Sequence, residues 1–201
     1  VALWGGYSWQ QYSRSLTNDA ARDYIGYLEA VGAVNQNLVR LEGWENQPWM
    51  TEGALSPYMA AGAGADGAVL YDLTQFNPAY FDLLRQRATE ARDRGLYVSI
   101  VLFNGDSLTP SSWAKHPYNG ANNVNQVDGD TNVDGAGFEL QTLDSPAVVA
   151  LQEAYARQVV ASVNGLVNVI FEMTNNPTAE CAGWQLHFGE LLRNGNTQAA
   201  N

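Results

Sequence analysis

Gly95-Leu96-Tyr97-Val98-Ser99-Ile100-Val101-Leu102-Phe103 is a nearly unbroken apolar run that begins at a helix-ending glycine. Such a run is the pattern of a strand buried on both faces of a parallel sheet, where helices cover each side. Upstream, Asn77-Pro78 supplies a cap residue and a proline at the first helical position, and Phe81, Leu84, Ala88 and Ala91 form one apolar stripe. Downstream, Ser145-Pro146 opens a helix with Leu151, Tyr155, Val159 and Val163 near helical spacing, and Gly165 releases it into a strand over 166–173.

The same alternation extends to both ends. Ala2-Leu3-Trp4 reads as a first strand, followed by a helix that Thr17 or Asn18 can cap, with Tyr24, Tyr27, Leu28 and Val31 on one face and Gly32 as its stop. Leu38-Val39-Arg40-Leu41 is the second strand, and a last helix is expected over 183–193 before a polar end. Strands alternating with helices predict an α/β fold, and right-handed crossovers make the strands parallel with their C-terminal ends on one rim.

The rim then collects Ser8, Trp9 and Gln10, then Arg40, Glu42, Trp44 and Glu45, then Asn104, Asp106 and His116, and finally Asn175 and Asn176. Between these units lie long loops over 46–72 and 104–144, within one domain spanning 1–201.

Composition narrows the partners. With 201 residues, 46% hydrophobic and 15% charged, the chain has material for one sizeable core. Its 21 acidic against 10 basic residues, a formal charge of −11, repel phosphate backbones and anionic lipid, which argues against nucleic acid as a partner. No apolar run is long enough to span a bilayer, and Val1 to Tyr7 lack a basic leader region. Cys181 is the only cysteine, so no intrachain disulfide can form. Six Trp are either platforms for the C–H faces of sugar rings or filling for the core.

Asn168-Val169-Ile170-Phe171-Glu172-Met173-Thr174-Asn175-Asn176-Pro177 resembles the clan A glycoside hydrolases, whose fourth strand ends Asn-Glu-Pro. Other segments are similar to a cellulase-like branch of that clan: Tyr71-Asp72-Leu73 through Phe76-Asn77-Pro78, Arg94-Gly95-Leu96-Tyr97-Val98, and His116-Pro117-Tyr118 leading to Asn122-Asn123-Val124-Asn125. The resemblance implies a (β/α)8 TIM barrel, of which this chain holds the first four β/α units, a half-barrel.

It further implies that Asn175 binds the sugar hydroxyl next to the anomeric carbon, that Arg40 braces the catalytic carboxylates, and that His116, Trp9 and Trp44 line the sugar cleft. Arg40 as an ordinary salt-bridged barrel residue, and His116 as a loop-packing histidine, are the competing readings. Asn176 stands where the clan has its acid/base glutamate. An amide has no comparable proton to give, and losing general acid–base help costs on the order of 10²–10⁴ in rate. The clan's nucleophile lies on a seventh strand. Glu172, four residues before Asn176 on an extended strand, is expected to be a paired charge and not a substitute acid.

Asp128-Gly129-Asp130-Thr131-Asn132-Val133-Asp134-Gly135 matches the start of a calcium loop, making Asp128, Asp130, Asn132 and Asp134 candidate ligands of a structural Ca2+. The twelfth position counted from Asp130 is Gln141 where the pattern wants Glu, and an Asx-turn loop with solvated carboxylates is the other reading.

Taken together, the expected function is a glycoside hydrolase-like protein that acts on or binds a β-linked polysaccharide or oligosaccharide without a required cofactor. The resemblance implies an extracellular or periplasmic setting. The alternative is a non-catalytic half-barrel that holds carbohydrate or self-assembles. Exposed sheet edges favour a homo-oligomer or a larger assembly that completes the barrel.

Overall fold

A computed structural model describes residues 1–5, 23–45, 54–65 and 67–198. In it β1 (Leu38–Glu42), β4 (Tyr97–Asn104) and β5 (Val169–Asn175) form a parallel sheet in the order β1-β4-β5. The register places Arg40 beside Ser99, and Glu42 beside Val101, which in turn lies beside Glu172. Because side chains alternate along a strand, Arg40, Glu42, Ser99 and Glu172 share one face. Val39, Leu41, Val98, Ile100 and Leu102 take the other face and pack into the main core.

Helices cover that apolar face. α1 (Tyr24–Ala33) starts at Asp23, whose carboxylate accepts from Gly26 N, and contributes Tyr24, Leu28 and Val31. The cap residues expected at Thr17 or Asn18 lie outside the described residues. Its end also differs from expectation: the helix runs past Gly32, and Asn35 takes the left-handed turn with φ 58°. An Asn side chain tolerates that conformation.

α2 (Pro78–Arg92) begins as the Asn77-Pro78 pair predicts, with the Asn77 side chain accepting from Ala79 N, and buries Phe81, Leu84, Ala88 and Ala91. Gly95 follows at φ 72°, a turn that glycine adopts without strain. After α3, the single turn Pro110–Trp113, come α4 (Pro146–Ser162) and α5 (Ala182–Gln198). Tyr155 and Val159 of α4 meet Trp184 and Phe188 of α5 around Phe103, whose ring lies 4.8 Å from Trp184 and 5.3 Å from Phe188.

Two expectations need correction. Ala2-Leu3-Trp4 forms no ladder with β1. Asn37 N donates to Trp4 O, but the remaining bonds go to the Asn37 side chain, which accepts from Trp4 N and donates to Ala2 O. That amide takes the bonds that a regular strand pair would use.

The stretch 46–72 is not a plain loop, since it contains β2 (Tyr58–Ala63), antiparallel to β3 (Val69–Phe76). The Ala- and Gly-rich β2 carries little strand signal of its own and is held by pairing with β3. Residues 104–144 pack on this hairpin. Tyr58, Leu73, Leu108, Trp113, Tyr118, Leu140 and Val148 make a second small core, and a bridge joins Tyr71 to Asn123. Asn122 and Asn123 stitch the loop internally, donating to the carbonyls of Ala114, His116, Pro117, Asn119 and Val127.

Candidate functional site at the strand ends

Arg40 projects from β1 onto the shared polar face and organises it. Its Nε donates to Glu172 Oε2 at 2.9 Å, and Nη2 reaches Glu172 Oε1, a two-pronged match of planar guanidinium to carboxylate. Nη1 meets Glu42 Oε1 at 3.3 Å, and Nη2 also donates to Asn175 Oδ1 at 3.2 Å. Glu172 is therefore the paired charge its strand position implies, with 39% of its side chain exposed.

Glu42 is fully buried, and burial is the largest influence on it. Arg40 opposes that effect while Glu172 and Asp106 reinforce it, and the carboxyl is pushed up to about 7.

The rim beyond β4 and β5 is a short chain of amides and carboxylates. Asn175 Nδ2 donates to Asn104 Oδ1 at 3.1 Å and to Asp106 Oδ2 at 3.3 Å. Asn176 Nδ2 donates to the same Asp106 oxygen at 2.7 Å. Asp106 is positioned by the turn Gly105–Leu108, where Asn104 Oδ1 accepts from Asp106 N. Asn176 sits at φ 45°, a left-handed conformation that side chains of its type tolerate best.

Trp44 and His116, expected in a sugar cleft, are both enclosed. His116 stacks on Trp113 with ring centres 5.1 Å apart, and its Nδ1 accepts from Tyr118 N, which leaves the proton on Nε2. Nε2 faces Glu45 Oε1 at 3.9 Å, beyond hydrogen-bond reach. Burial pushes Glu45 up to about 8 and His116 down to about 3, so at neutral pH this is a contact of two neutral groups and not an ion pair. The loop-packing reading of His116 fits this placement. Trp9 lies outside the described residues. Trp113 is buried in the second core.

The acidic loop turns its oxygens on itself. Asp130 accepts from Asp134 N and Gly135 N, Asp128 from Asp130 N, Asn132 from Asp134 N, and Asp134 from Ala136 N. Gln141, the twelfth position, is turned away: it donates to Thr174 Oγ1 and accepts from Thr178 N, tying the loop to β5. Among the described residues, no three His, Cys, Asp or Glu side chains gather as a metal-holding group. An open depression of about 620 Å³ lies beside this loop, with Asp134, Phe138, Glu139 and Glu180 in its wall.

Sequence reasoning placed Arg40, Asn175 and Asn176 together, and the structure brings them together. It did not single out Asp106 or Glu42, although both were legible as rim residues. Their importance comes from contacts made across the strands.

No protein-family model matches the chain, and no curated protein matches it. Among solved structures, it is similar to a protein of Bacteroides vulgatus provisionally named a glycoside hydrolase, with 16% identity, a TM-score of 0.58, and cover of 96% of this chain and 32% of that one. It is also similar to the β-mannanase of the blue mussel Mytilus edulis, with 12% identity, a TM-score of 0.50, and cover of 87% and 41%. The chain thus spans well under half of the length of these structures, 32% of the first and 41% of the second. At such identities the likeness shows the fold: a mixed α/β arrangement with parallel strands, shared with glycoside hydrolases.

Proposed function

We propose that this chain is the first half of a clan A-type glycosidase barrel and that its rim binds a β-linked oligosaccharide or polysaccharide. The observation that carries the reading is the constellation at the C-terminal strand ends, where Arg40, Glu172, Glu42, Asn175, Asp106 and Asn176 are joined by side-chain hydrogen bonds and ion pairs. Ligands of parallel α/β barrels bind at that rim, and a carbohydrate ligand is supported by structural neighbours of which one is provisionally named a glycoside hydrolase and another a β-mannanase. The setting is extracellular or periplasmic, and a second copy or a larger assembly covers the open polar face. No cofactor enters this reading, and the acidic loop serves as a self-braced strap.

Hydrolysis needs a proton donor at position 176, and Asn176 offers none. A non-catalytic carbohydrate-binding role is the second reading, favoured by that amide. Binding of β-1,4-linked gluco- and manno-oligosaccharides, measured beside turnover of aryl β-glycosides by the wild type and by Asn176→Glu, separates the two. Binding without turnover in either protein sinks the enzyme, and absence of both sinks the carbohydrate reading.

A further inference from the structure

We propose that Asp106 is the carboxylate with which this rim holds the hydroxyl groups of a neutral glycan, and that Asn176 serves as the clamp that aims it. The inference rests on the carbohydrate reading above and deepens it by naming the ligand class and the residue that reads it.

Two amides converge on one oxygen of Asp106. Asn176 Nδ2 stands at 2.7 Å and Asn175 Nδ2 at 3.3 Å from Oδ2. Among the described residues Oδ1 accepts no hydrogen bond, and the side chain is only partly buried at the mouth of the strand ends. The carboxylate is therefore oriented through one oxygen and presents the other. A carboxylate accepts and does not donate, and a sugar hydroxyl donates to it in a charge-assisted bond stronger than one between neutral groups.

The pair of residue types is also self-consistent. A glutamate at 176 would set a second carboxylate at hydrogen-bond distance from Asp106, and two anions that close oppose one another. An asparagine there turns that repulsion into a bond.

The surrounding charge selects the ligand further. Arg40 is engaged by Glu172, Glu42 and Asn175, so its guanidinium is committed to the protein's own oxygens. With Glu172 balanced by Arg40, Asp106 leaves the rim negative. A uronic acid meets repulsion there, whereas a neutral hexose meets only acceptors and amides.

Titration calorimetry with β-1,4-linked gluco- and manno-hexasaccharides, and with an oligogalacturonate as the anionic probe, tests this. Wild type is expected to bind at least one neutral hexasaccharide and to bind the oligogalacturonate at least about tenfold more weakly. Asp106→Asn should weaken the neutral ligand by about tenfold or more and narrow the gap to the anionic one. Asp106→Glu keeps the charge but displaces it, and it should fall between; Glu153→Gln, on α4 away from the rim, should bind as wild type does. Thermal melts of every variant establish that each is folded. Wild-type affinity in a folded Asp106→Asn overturns the inference while leaving the carbohydrate reading standing, as does a wild-type preference for the oligogalacturonate. If the wild type binds no glycan at all, the carbohydrate reading falls and takes the inference with it.

Discussion

Gly105 lies so close beneath the backbone carbonyl of Asn176 that a methyl group on its Cα would overlap that oxygen. The turn after β4 and the end of β5 are therefore in direct backbone contact, and this contact sets the spacing between Asp106 and Asn176. Gly105→Ala must push the two segments apart. The expected cost is about 2 kcal/mol, lowering Tm by roughly 4–8 °C. An unchanged melt, together with unchanged amide shifts at Asn176, would mean that the two segments are not held in register.

Arg40 is the cation that two carboxylates share. Arg40→Met removes it from Glu172 and from the buried Glu42. A loss of about 2–3 kcal/mol is expected, discounted for the exposure of Glu172, with Arg40→Lys intermediate because an ammonium is not a planar fork. Lowering the pH should recover part of the loss by protonating the stranded, buried Glu42. Denaturant midpoints at pH 5 and pH 8 measure this, and an equal loss at both would refute the electrostatic account.

Stability should peak on the acid side of neutrality. Glu42 and Glu45, pushed to about 7 and about 8, hold protons in the folded state that the unfolded chain has released above its ordinary 4.5. Falling pH through that window therefore stabilises the fold. His116, held down near 3, works the other way: the unfolded histidine gains a proton below 6.5 and the folded one does not. Two carboxyls against one imidazole leave a net gain down to about pH 4.5, below which the histidine dominates. Tm should be higher at pH 5 than at pH 8 by roughly 8–16 °C, from about 4 kcal/mol of linked protonation. The double variant Glu42→Gln, Glu45→Gln should lose that gain; a wild-type slope in the variant would assign the effect to other groups.

Asp130 accepts two backbone N–H groups, from Asp134 and Gly135, and these bonds close the acidic loop. Asp130→Ala should cost about 1–2 kcal/mol. The cost should persist in excess EDTA, since neither bond involves a metal. Loss of the effect on chelation would show that calcium, and not the backbone, is what Asp130 serves.

The local devices of this fold were legible in the chain. Asn77-Pro78 starts α2 and Gly95 turns out of it because a cap acts on N–H groups two or three residues away and a glycine acts on its own backbone. The apolar run of β4 likewise announces burial wherever the strand goes. β2 was invisible for the converse reason, since Tyr58-Met59-Ala60-Ala61-Gly62-Ala63 becomes a strand only through its ladder to β3.

The site divides along the same line. Residue types alone determined that position 176 offers an amide and no acid, and that Arg40 carries a fork able to brace carboxylates. Tertiary structure decided which groups they meet: it put Asp106 under the Asn176 amide, buried Glu42 beside Arg40, and enclosed Trp44 and His116 where a cleft-lining role was expected. A side chain's chemistry is fixed by its covalent structure, whereas its partners and its hydration are set by strands and loops far away in the chain.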